Sequence, residues 1–144
     1  MIRAEAVPFA TLSAGAAYAV WRLRQDVFVV EQACAYPDLD GRDLEPGTRH
    51  VLLREDDVLM GYARVLDDGE VWRIGRVVLA RHGRGRGLAD VLMHTALRVC
   101  AGRDVVLDAQ SPLTGWYAGH GFSVDGPEFL EDDIPHLPMR RSAG

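Results

Sequence analysis

The chain has 144 residues, which is enough for one domain with a sizeable hydrophobic core. Sixteen basic against 21 acidic side chains give a net charge of −5, and this excess of acid argues against nucleic acid or an anionic membrane as a partner, because both favour clustered cations. Two cysteines are too few for a disulfide framework, and no apolar run is long enough for a membrane span. We therefore expect a single domain, residues 1–144, in the cytoplasm.

The hydrophobic pattern predicts alternating strands and helices with short connections. A strand at residues 2–7 comes first, and apolar residues then recur at helical spacing from Leu12 to Val27, with Thr11 as the expected N-cap. Residues 30–48 combine Pro, Gly and acidic side chains, which is typical of an irregular segment. The further predicted elements are strands at 50–54 and 58–66 with a turn at Asp56-Asp57, a central strand at 71–79, a helix from Leu88 to Val99 that stops at Gly102, a strand at 104–108, a brief helix capped by Ser111, and strands at 122–125 and 137–141 separated by an acidic loop.

The most informative segment joins the central strand to the long helix. Apolar residues 77–79 end the strand, a turn rich in glycine and arginine follows, and the helix begins at once. Backbone N–H groups converge at such a helix N-terminus, where the helix dipole also favours negative charge. The glycines of the turn allow an anion to approach the main chain closely. This segment therefore predicts a pyrophosphate-binding loop.

Two common nucleotide loops fit this segment poorly. A P-loop needs Lys followed by Ser or Thr, and the chain contains no lysine. The dinucleotide pattern G-x-G-x-x-G fails because its third glycine position is filled by Leu88 or Asp90. Residues 84–89 instead fit the pattern Arg/Gln-x-x-Gly-x-Gly/Ala and resemble the acetyl-CoA loop of the Gcn5-related N-acetyltransferases (GNAT).

A second motif of the same family lies downstream. The brief helix carries Trp116 and Tyr117, and Tyr-x-x-x-Gly-Phe ends at Phe122. The chain as a whole, from about residue 18 to 140, is similar to the ElaA-type N-acetyltransferases. The resemblance implies an α/β GNAT acyl-CoA N-acyltransferase fold, with a mixed, mostly antiparallel, splayed central sheet flanked by helices. The segments that carry the closer likeness are 27–32, 36–41, 49–50, 62–64, 74–77 and 131–136.

The resemblance also implies an activity, which is the transfer of acetyl from acetyl-CoA to a primary amine by direct attack in a ternary complex, with no metal. Tyr117 matches the family's general acid, which protonates the CoA sulfur as the thioester breaks. A phenol with an ordinary pKa near 10 keeps its proton at neutral pH and suits this role. The implied cofactor-binding residues, acting chiefly through the main chain, are Val77, Val78, Leu79, Arg84, Gly85, Arg86, Gly87, Leu88 and Ala89.

The general base stays open at the level of sequence. An alkylamine with a pKa near 10.4 is only about a thousandth neutral at pH 7, so a base is expected. Some family members place Glu on the central strand, but the corresponding stretch here is Ile74-Gly75-Arg76. The candidates are Glu31, His50 and His136, and for each a structural role is the alternative: a surface charge, a satisfied strand residue and a loop contact, respectively.

Two arginines interrupt otherwise apolar strands. Arg64 and Arg76 must be paired or line a cavity, and Arg76 is expected to share a strand face with Ile74 and Val78. One hypothesis is that they orient a carboxylate on the acceptor substrate. The alternative is a structural salt bridge, for example to Asp108. The acidic stretches 38–45 and 128–133 are further candidates, either as a border that attracts a cationic acceptor or as solvated loops.

Other functions stay open on this scaffold. They are transfer from another acyl-CoA or to another acceptor class, a non-catalytic CoA-binding module, and a nucleotide-binding protein. The expected partner is a small-molecule amine or a peptide amine, and either a monomer or a homodimer is compatible with the sequence. Cys100 is expected in the core, and Cys34 as a free thiol in a loop.

Overall fold

The computed structural model describes all 144 residues and contains eight strands and three α-helices. None of the helices has the length and apolar character needed to cross a bilayer. The strands are β1 Ile2–Val7, β2 Arg49–Glu55, β3 Val58–Asp67, β4 Val71–Leu79, β5 Asp104–Gln110, β6 Ser123–Val124, β7 Phe129–Glu131 and β8 Ile134–Arg141; the helices are α1 Ala14–Arg24, α2 Leu88–Val99 and α3 Thr114–Ala118.

All eight strands belong to one sheet in the order β1-β2-β3-β4-β5-β8-β6, with β7 also paired to β8. Every pair is antiparallel except β4 with β5, so the expected mixed, mostly antiparallel sheet is confirmed. Helix α2 packs on one face with Val51 and Ala63, and α1 packs on the other with Leu52 and Tyr62. Cys100 lies in the α2-side core as predicted, and burial raises the pKa of its thiol to about 12.

The first helix begins later than predicted. Ser13 is its N-cap, because the Ser13 hydroxyl accepts a hydrogen bond from the Ala16 N–H at 3.0 Å. Thr11 was expected in this position, but its hydroxyl donates to the Pro8 carbonyl within a 3-10 turn, Phe9–Thr11. The Thr11 cap is therefore wrong. Past α1 the chain continues as a π-helix, Gln25–Glu31, which explains why the apolar pattern extends to Val27.

The central pair of strands, β4 and β5, separates along its length. The parallel pairing covers only three positions, from Val71 with Asp104 to Arg73 with Val106. Beyond these positions both strands continue, β4 to Leu79 and β5 to Gln110, without a hydrogen-bonded register between them. The sheet is therefore splayed at its centre, as expected, and the facing edges of the two strands carry unpaired backbone groups.

A bulge in β4 changes which side chains share a face. Arg76 has φ of +52°, and the pairing of β4 with β3 shifts register at this position. Ile74 packs with the core under α2, whereas Val78 packs with the core under α1. The prediction that Ile74, Arg76 and Val78 share one face is therefore wrong, because the bulge interrupts the strict alternation of a strand.

The expected acidic loop before the last strand is a hairpin. Strands β7 and β8 pair directly, and the two residues that join them, Asp132 and Asp133, have φ of +50° and +63°. Two successive positive φ values are typical of the two-residue turns that fit a twisted hairpin. Strand β8 consequently begins at Ile134 instead of residue 137, and His136 lies on a strand between Phe129 and Gln110.

Candidate active site

A cleft of about 590 Å³ opens where β4 and β5 diverge. Its walls come from the π-helix and the segment after it, from β4, and from the region between β5 and β8. Most of the residues predicted to be functional meet here, although they come from six separate parts of the chain. Those that line the cleft are Glu31, Arg64, Arg76, Val77, Val78, Leu79, Arg84, Tyr117 and His136.

The glycine loop, residues 84–89, joins the end of β4 to α2. Gly85 and Gly87 have φ of +75° and +73°, and Gly87 is the N-cap of α2. A methyl group would meet no atom within 4 Å at either position, so the requirement for glycine there is the backbone conformation and not space. The N–H groups of Gly85, Arg86 and Gly87 have no hydrogen-bond acceptor within the chain. The loop therefore presents free main-chain donors beside a helix N-terminus.

The arginine side chains of this loop form ion pairs with carboxylates. Arg86 pairs with Glu55 at 2.6 Å, and Arg84 pairs with Glu31 at 2.9 Å. Arg84 also donates to the Leu79 carbonyl at 3.2 Å and so ties the loop to the end of β4. The hydrogen bond from Arg84 is the main reason why the pKa of Glu31 is lowered. An ion-paired carboxylate with a lowered pKa is a weak base, so Glu31 fits a structural role at this end of the cleft better than proton abstraction.

Tyr117 stands on α3, where its side chain is buried and lines the cleft. The ring packs edge-to-face on Trp116 at 4.9 Å and Phe122 at 6.0 Å between ring centroids. Trp116 is itself held by an indole N–H bond to Asp90 on α2 at 3.0 Å. Burial raises the pKa of Tyr117 to about 12, and its hydroxyl makes no hydrogen bond within the chain. The structure thus offers a protonated, unpartnered phenol to the cleft.

His136 also lines the cleft, and one of its ring nitrogens makes no hydrogen bond within the chain. Its Nδ1 lies 2.7 Å from the Ile134 carbonyl, and because a carbonyl can only accept, Nδ1 must carry the proton. In the neutral ring Nε2 then keeps its lone pair. Its nearest charged neighbour is Glu131, with 3.8 Å between Nε2 and the carboxylate. The ring stacks on Phe129 at 5.8 Å, which fixes its orientation.

His50 lies outside the cleft. It is buried between β2 and the loop beside it, where Nδ1 contacts the Tyr62 hydroxyl at 2.6 Å and Nε2 lies 3.0 Å from the Asp43 carbonyl. Burial lowers its pKa. Both ring nitrogens are therefore occupied, and the structure favours the satisfied strand residue over the general base.

Arg64 and Arg76 line the cleft but are already paired. Arg64 donates to both carboxylate oxygens of Asp40 at 2.8 Å, and Arg76 reaches Asp38 at 2.9 Å. Asp108, the partner suggested from sequence, instead lies 3.6 Å from Arg73. The structural salt bridge is thus the better interpretation of both arginines, with the partner corrected.

The acidic segment, residues 38–45, is held by a network that the sequence did not reveal. Arg24 of α1 is completely buried and pairs with Asp38 at 2.9 Å and Asp43 at 2.7 Å. Burial alone would raise the pKa of Asp40, yet the hydrogen bonds from Arg64 and the Arg42 N–H, together with the charges of Arg64 and Arg76, outweigh it and lower that pKa to about 2. Because Asp38, Asp40, Asp43 and Glu45 are all in ion pairs, they are not free to attract a cationic acceptor. The one sequence feature that indicated this network was Arg24, a charged residue at helical spacing between the apolar Val20 and Val27.

Further cleft residues were not singled out from sequence. Gln110 of β5 donates to Gln32 at 3.3 Å, and Tyr36 stacks under the Arg76 guanidinium at 5.3 Å. Cys34 is half-buried at the cleft, as a free thiol whose pKa burial raises. Glu131 and Asp132 also line the cleft. No group of three or more His, Cys, Asp or Glu side chains has an arrangement that could hold a metal ion.

The described architecture and residues match a known family. Residues 23–143 fit the family model described as an acetyltransferase (GNAT) domain. The chain belongs to the GNAT family. Protein ElaA of Escherichia coli is 39% identical over 148 residues, covering 98% of this chain and 97% of that protein. A UPF0039 protein of Mycobacterium tuberculosis is 47% identical over 135 residues, covering 90% and 86%.

Solved structures agree with this assignment. The crystal structure of Escherichia coli ElaA aligns with a TM-score of 0.93 at 38% identity, covering 99% of this GNAT chain and all of that one. An acyl-CoA N-acyltransferase from Pseudomonas aeruginosa aligns with a TM-score of 0.92 at 38% identity and the same coverage. The fold is therefore the acyl-CoA N-acyltransferase fold, and the chain is an ElaA homologue of the acyltransferase class.

Proposed function

We propose that this protein is an N-acetyltransferase that moves the acetyl group of acetyl-CoA to a primary amine by direct attack in a ternary complex. One observation carries the proposal: free N–H groups at Gly85, Arg86 and Gly87 adjoin a strand edge that is open because β4 separates from β5. Free donors at a helix N-terminus suit a pyrophosphate, and an open strand edge suits the amides of a pantetheine arm.

The donor contacts follow from this arrangement. Val77, Val78 and Leu79 line the cleft, and we propose that their main chain binds the arm and the acetyl carbonyl. Main-chain groups from Arg84 to Ala89 would bind the pyrophosphate. Binding through the backbone explains why the side chains of Arg84 and Arg86 can be engaged elsewhere, with Glu31 and Glu55.

Tyr117 is the proposed general acid. The amine nitrogen attacks the thioester carbonyl, the carbon–sulfur bond breaks, and the leaving sulfur takes the proton of the Tyr117 hydroxyl. A raised pKa of about 12 ensures that the proton is present, and the absence of a protein partner leaves the hydroxyl free to donate. The same high pKa makes complete transfer to a thiolate uphill, so we expect the proton to move as the bond breaks.

His136 is the proposed base among the three candidates. His136 lines the cleft and its Nε2 makes no hydrogen bond within the chain, whereas Glu31 is ion-paired to Arg84 and His50 is enclosed. His136 would accept the proton lost by the amine, directly or through one water. In His136→Gln we expect a fall of about 100-fold in kcat with unchanged acetyl-CoA affinity. The exposed His94 supplies the control, since His94→Gln should leave kcat unaltered.

Calorimetry and product analysis test the function. Acetyl-CoA should give measurable heat on titration, and thiol release across a library of amines, followed by mass spectrometry, should identify an acetylated product. Heat with acetyl-CoA but no product from any amine would support a non-catalytic CoA-binding module, and a higher rate with a longer acyl-CoA would assign another donor. The acceptor as a small-molecule or peptide amine, the single domain, the cytoplasmic location and the monomer or homodimer stay predictions.

A further inference from the structure

Arg76 occupies a backbone conformation that arginine rarely adopts. Its φ of +52° lies in the left-handed region, and none of the six β4 residues that pair with β3 shares this sign. Gly75 precedes it, and a glycine at position 76 itself would reach this φ without strain. A side chain that keeps an unfavourable backbone conformation needs contacts that hold it there.

Those contacts come from one short stretch, residues 36–40. The Arg76 guanidinium lies 2.9 Å from the Asp38 carboxylate, 3.2 Å from the Asp38 carbonyl and 3.3 Å from Asp40, and it stacks over the Tyr36 ring. The stretch is itself immobilised, because Asp38 also binds the buried Arg24 and Asp40 also binds Arg64. Arg76 is therefore clamped from outside the sheet.

The clamp acts at the point where β4 changes direction. Pairing with β5 ends at Arg73, and the register with β3 shifts between Tyr62 and Arg64, opposite Arg76. The three residues that follow, Val77 to Leu79, have their faces reversed by the bulge and line the cleft. Their backbone orientation thus depends on the conformation of Arg76.

We propose that Arg76 is a positioning residue for the acyl donor. Its contacts with residues 36–40 stabilise the β4 bulge, and the bulge orients the main chain of Val77–Leu79 towards the pantetheine arm. This role rests on the proposed function, because it concerns the binding of acetyl-CoA. It differs from carboxylate recognition, since Nε and Nη2 of the guanidinium already lie against Asp38 and Asp40, and only Nη1 has no partner within the chain.

The test compares two ligands. Acetyl-CoA contacts both the glycine loop and the strand past the bulge, whereas adenosine 3′,5′-bisphosphate lacks the pantetheine arm and would contact the loop region alone. In Arg76→Gly, which removes the clamp without adding backbone strain, calorimetry should show acetyl-CoA bound about tenfold more weakly, or 1.4 kcal/mol. The affinity for the bisphosphate should stay within about twofold, a change below 0.5 kcal/mol.

Controls separate positioning from folding. Arg73→Ala removes another paired arginine from the same strand and cleft, outside the bulge, and should leave both affinities within about twofold. Arg76→Lys keeps a cation for Asp38 and should recover part of the lost acetyl-CoA affinity. Thermal unfolding of each variant verifies that it is folded.

Either of two results overturns the inference. One is that Arg76→Gly binds acetyl-CoA as tightly as the unmodified protein, and the other is that it loses affinity for both ligands by the same factor. Failure of the unmodified protein to bind acetyl-CoA at all would instead overturn the proposed function. Failure of the proposed function is distinguishable from failure of the inference, because it is seen with the unmodified protein, before any variant is made.

Discussion

Two segments that adjoin the cleft are held in place by different forces. The glycine loop, residues 84–89, owes its shape to backbone conformation, with two glycines at positive φ and N–H groups that no protein atom accepts. The acidic segment, residues 38–45, owes its position to charge, and its carboxylates are all paired with arginines. The glycine loop therefore keeps its polar groups free for a ligand, while the acidic segment uses its charges to hold the fold.

The largest effect is expected from breaking the acidic segment's buried pairs. Arg24→Ala leaves Asp38 and Asp43 buried without their main partner, and removing one member of a buried ion pair costs about 3 to 5 kcal/mol in the free energy of unfolding. Urea denaturation measures the loss. Arg42→Ala removes a more exposed arginine of the same segment and should cost less than about 1 kcal/mol. Equal losses in the two variants would contradict the claim that burial distinguishes them.

The next effect is on the catalytic rate and concerns Tyr117, which lines the cleft. Tyr117→Phe removes the free hydroxyl but keeps the ring packing on Trp116 and Phe122, so the fold should be unchanged. We expect kcat to fall about 100-fold, at the lower end of what a general acid contributes, with the acetyl-CoA affinity retained. Steady-state thiol release and calorimetry give the two quantities. Unchanged kcat would remove Tyr117 as the acid.

The same contrast explains what the sequence could predict. The glycine loop and Tyr117 were recognisable because each is local: a few consecutive residues specify the turn, the helix start and the motif. The network of Arg24 with Asp38 and Asp43 joins residues 14 and 19 positions apart across the sheet face, and no local pattern encodes such pairing. The arginines were noticed for their charge in apolar surroundings, but their partners depended on tertiary structure.

The errors in secondary structure have a similar origin. The prediction that Ile74 and Val78 share a face was wrong because a bulge adds one residue to a strand whose alternation otherwise looks regular. His136 was placed in a loop because two aspartates and a proline precede it, whereas Asp132 and Asp133 form the turn of a tight hairpin. In both cases a positive φ at a residue other than glycine decided the structure, and such conformations are rare for these residue types.

Backbone strain alone should weaken the glycine loop. Ala at position 87 would meet no atom within 4 Å, so Gly87→Ala tests the positive φ and nothing else. We expect a loss of about 1 kcal/mol in stability and acetyl-CoA binding about five- to tenfold weaker, because the N–H groups lose their alignment. Gly15, in α1, is the matched control: it also has open space, and Gly15→Ala should stabilise the helix slightly. If both variants bind acetyl-CoA alike, the loop conformation is not what binds it.

The smallest effect is on the pH dependence of the free energy of unfolding, which the acidic segment should influence and the glycine loop should not. The pKa of Asp40 is lowered to about 2 in the folded chain, and that of Asp43 is lowered too, in each case because hydrogen bonds and the charges of neighbouring arginines together outweigh burial. A carboxyl with a depressed folded pKa stabilises the fold above its unfolded pKa, ordinarily near 4, and that stabilisation is lost as the pH falls towards the folded pKa. Between pH 5 and 2 we therefore expect the free energy of unfolding to decrease, with a contribution from Asp40 on the order of 1 kcal/mol after solvent screening.

The variant Asp40→Asn isolates this contribution. It cannot ionise, so its stability should start lower at pH 5 and decline less steeply towards pH 2 than that of the unmodified chain, as measured by urea denaturation at each pH. Gly87→Ala lowers stability through backbone strain and should decline in parallel with the unmodified chain, because no titrating group is changed. Identical slopes for Asp40→Asn and the unmodified chain would mean that the Arg64 pair does not depress the pKa of Asp40. The acidic segment would then be held mainly by its buried contacts with Arg24.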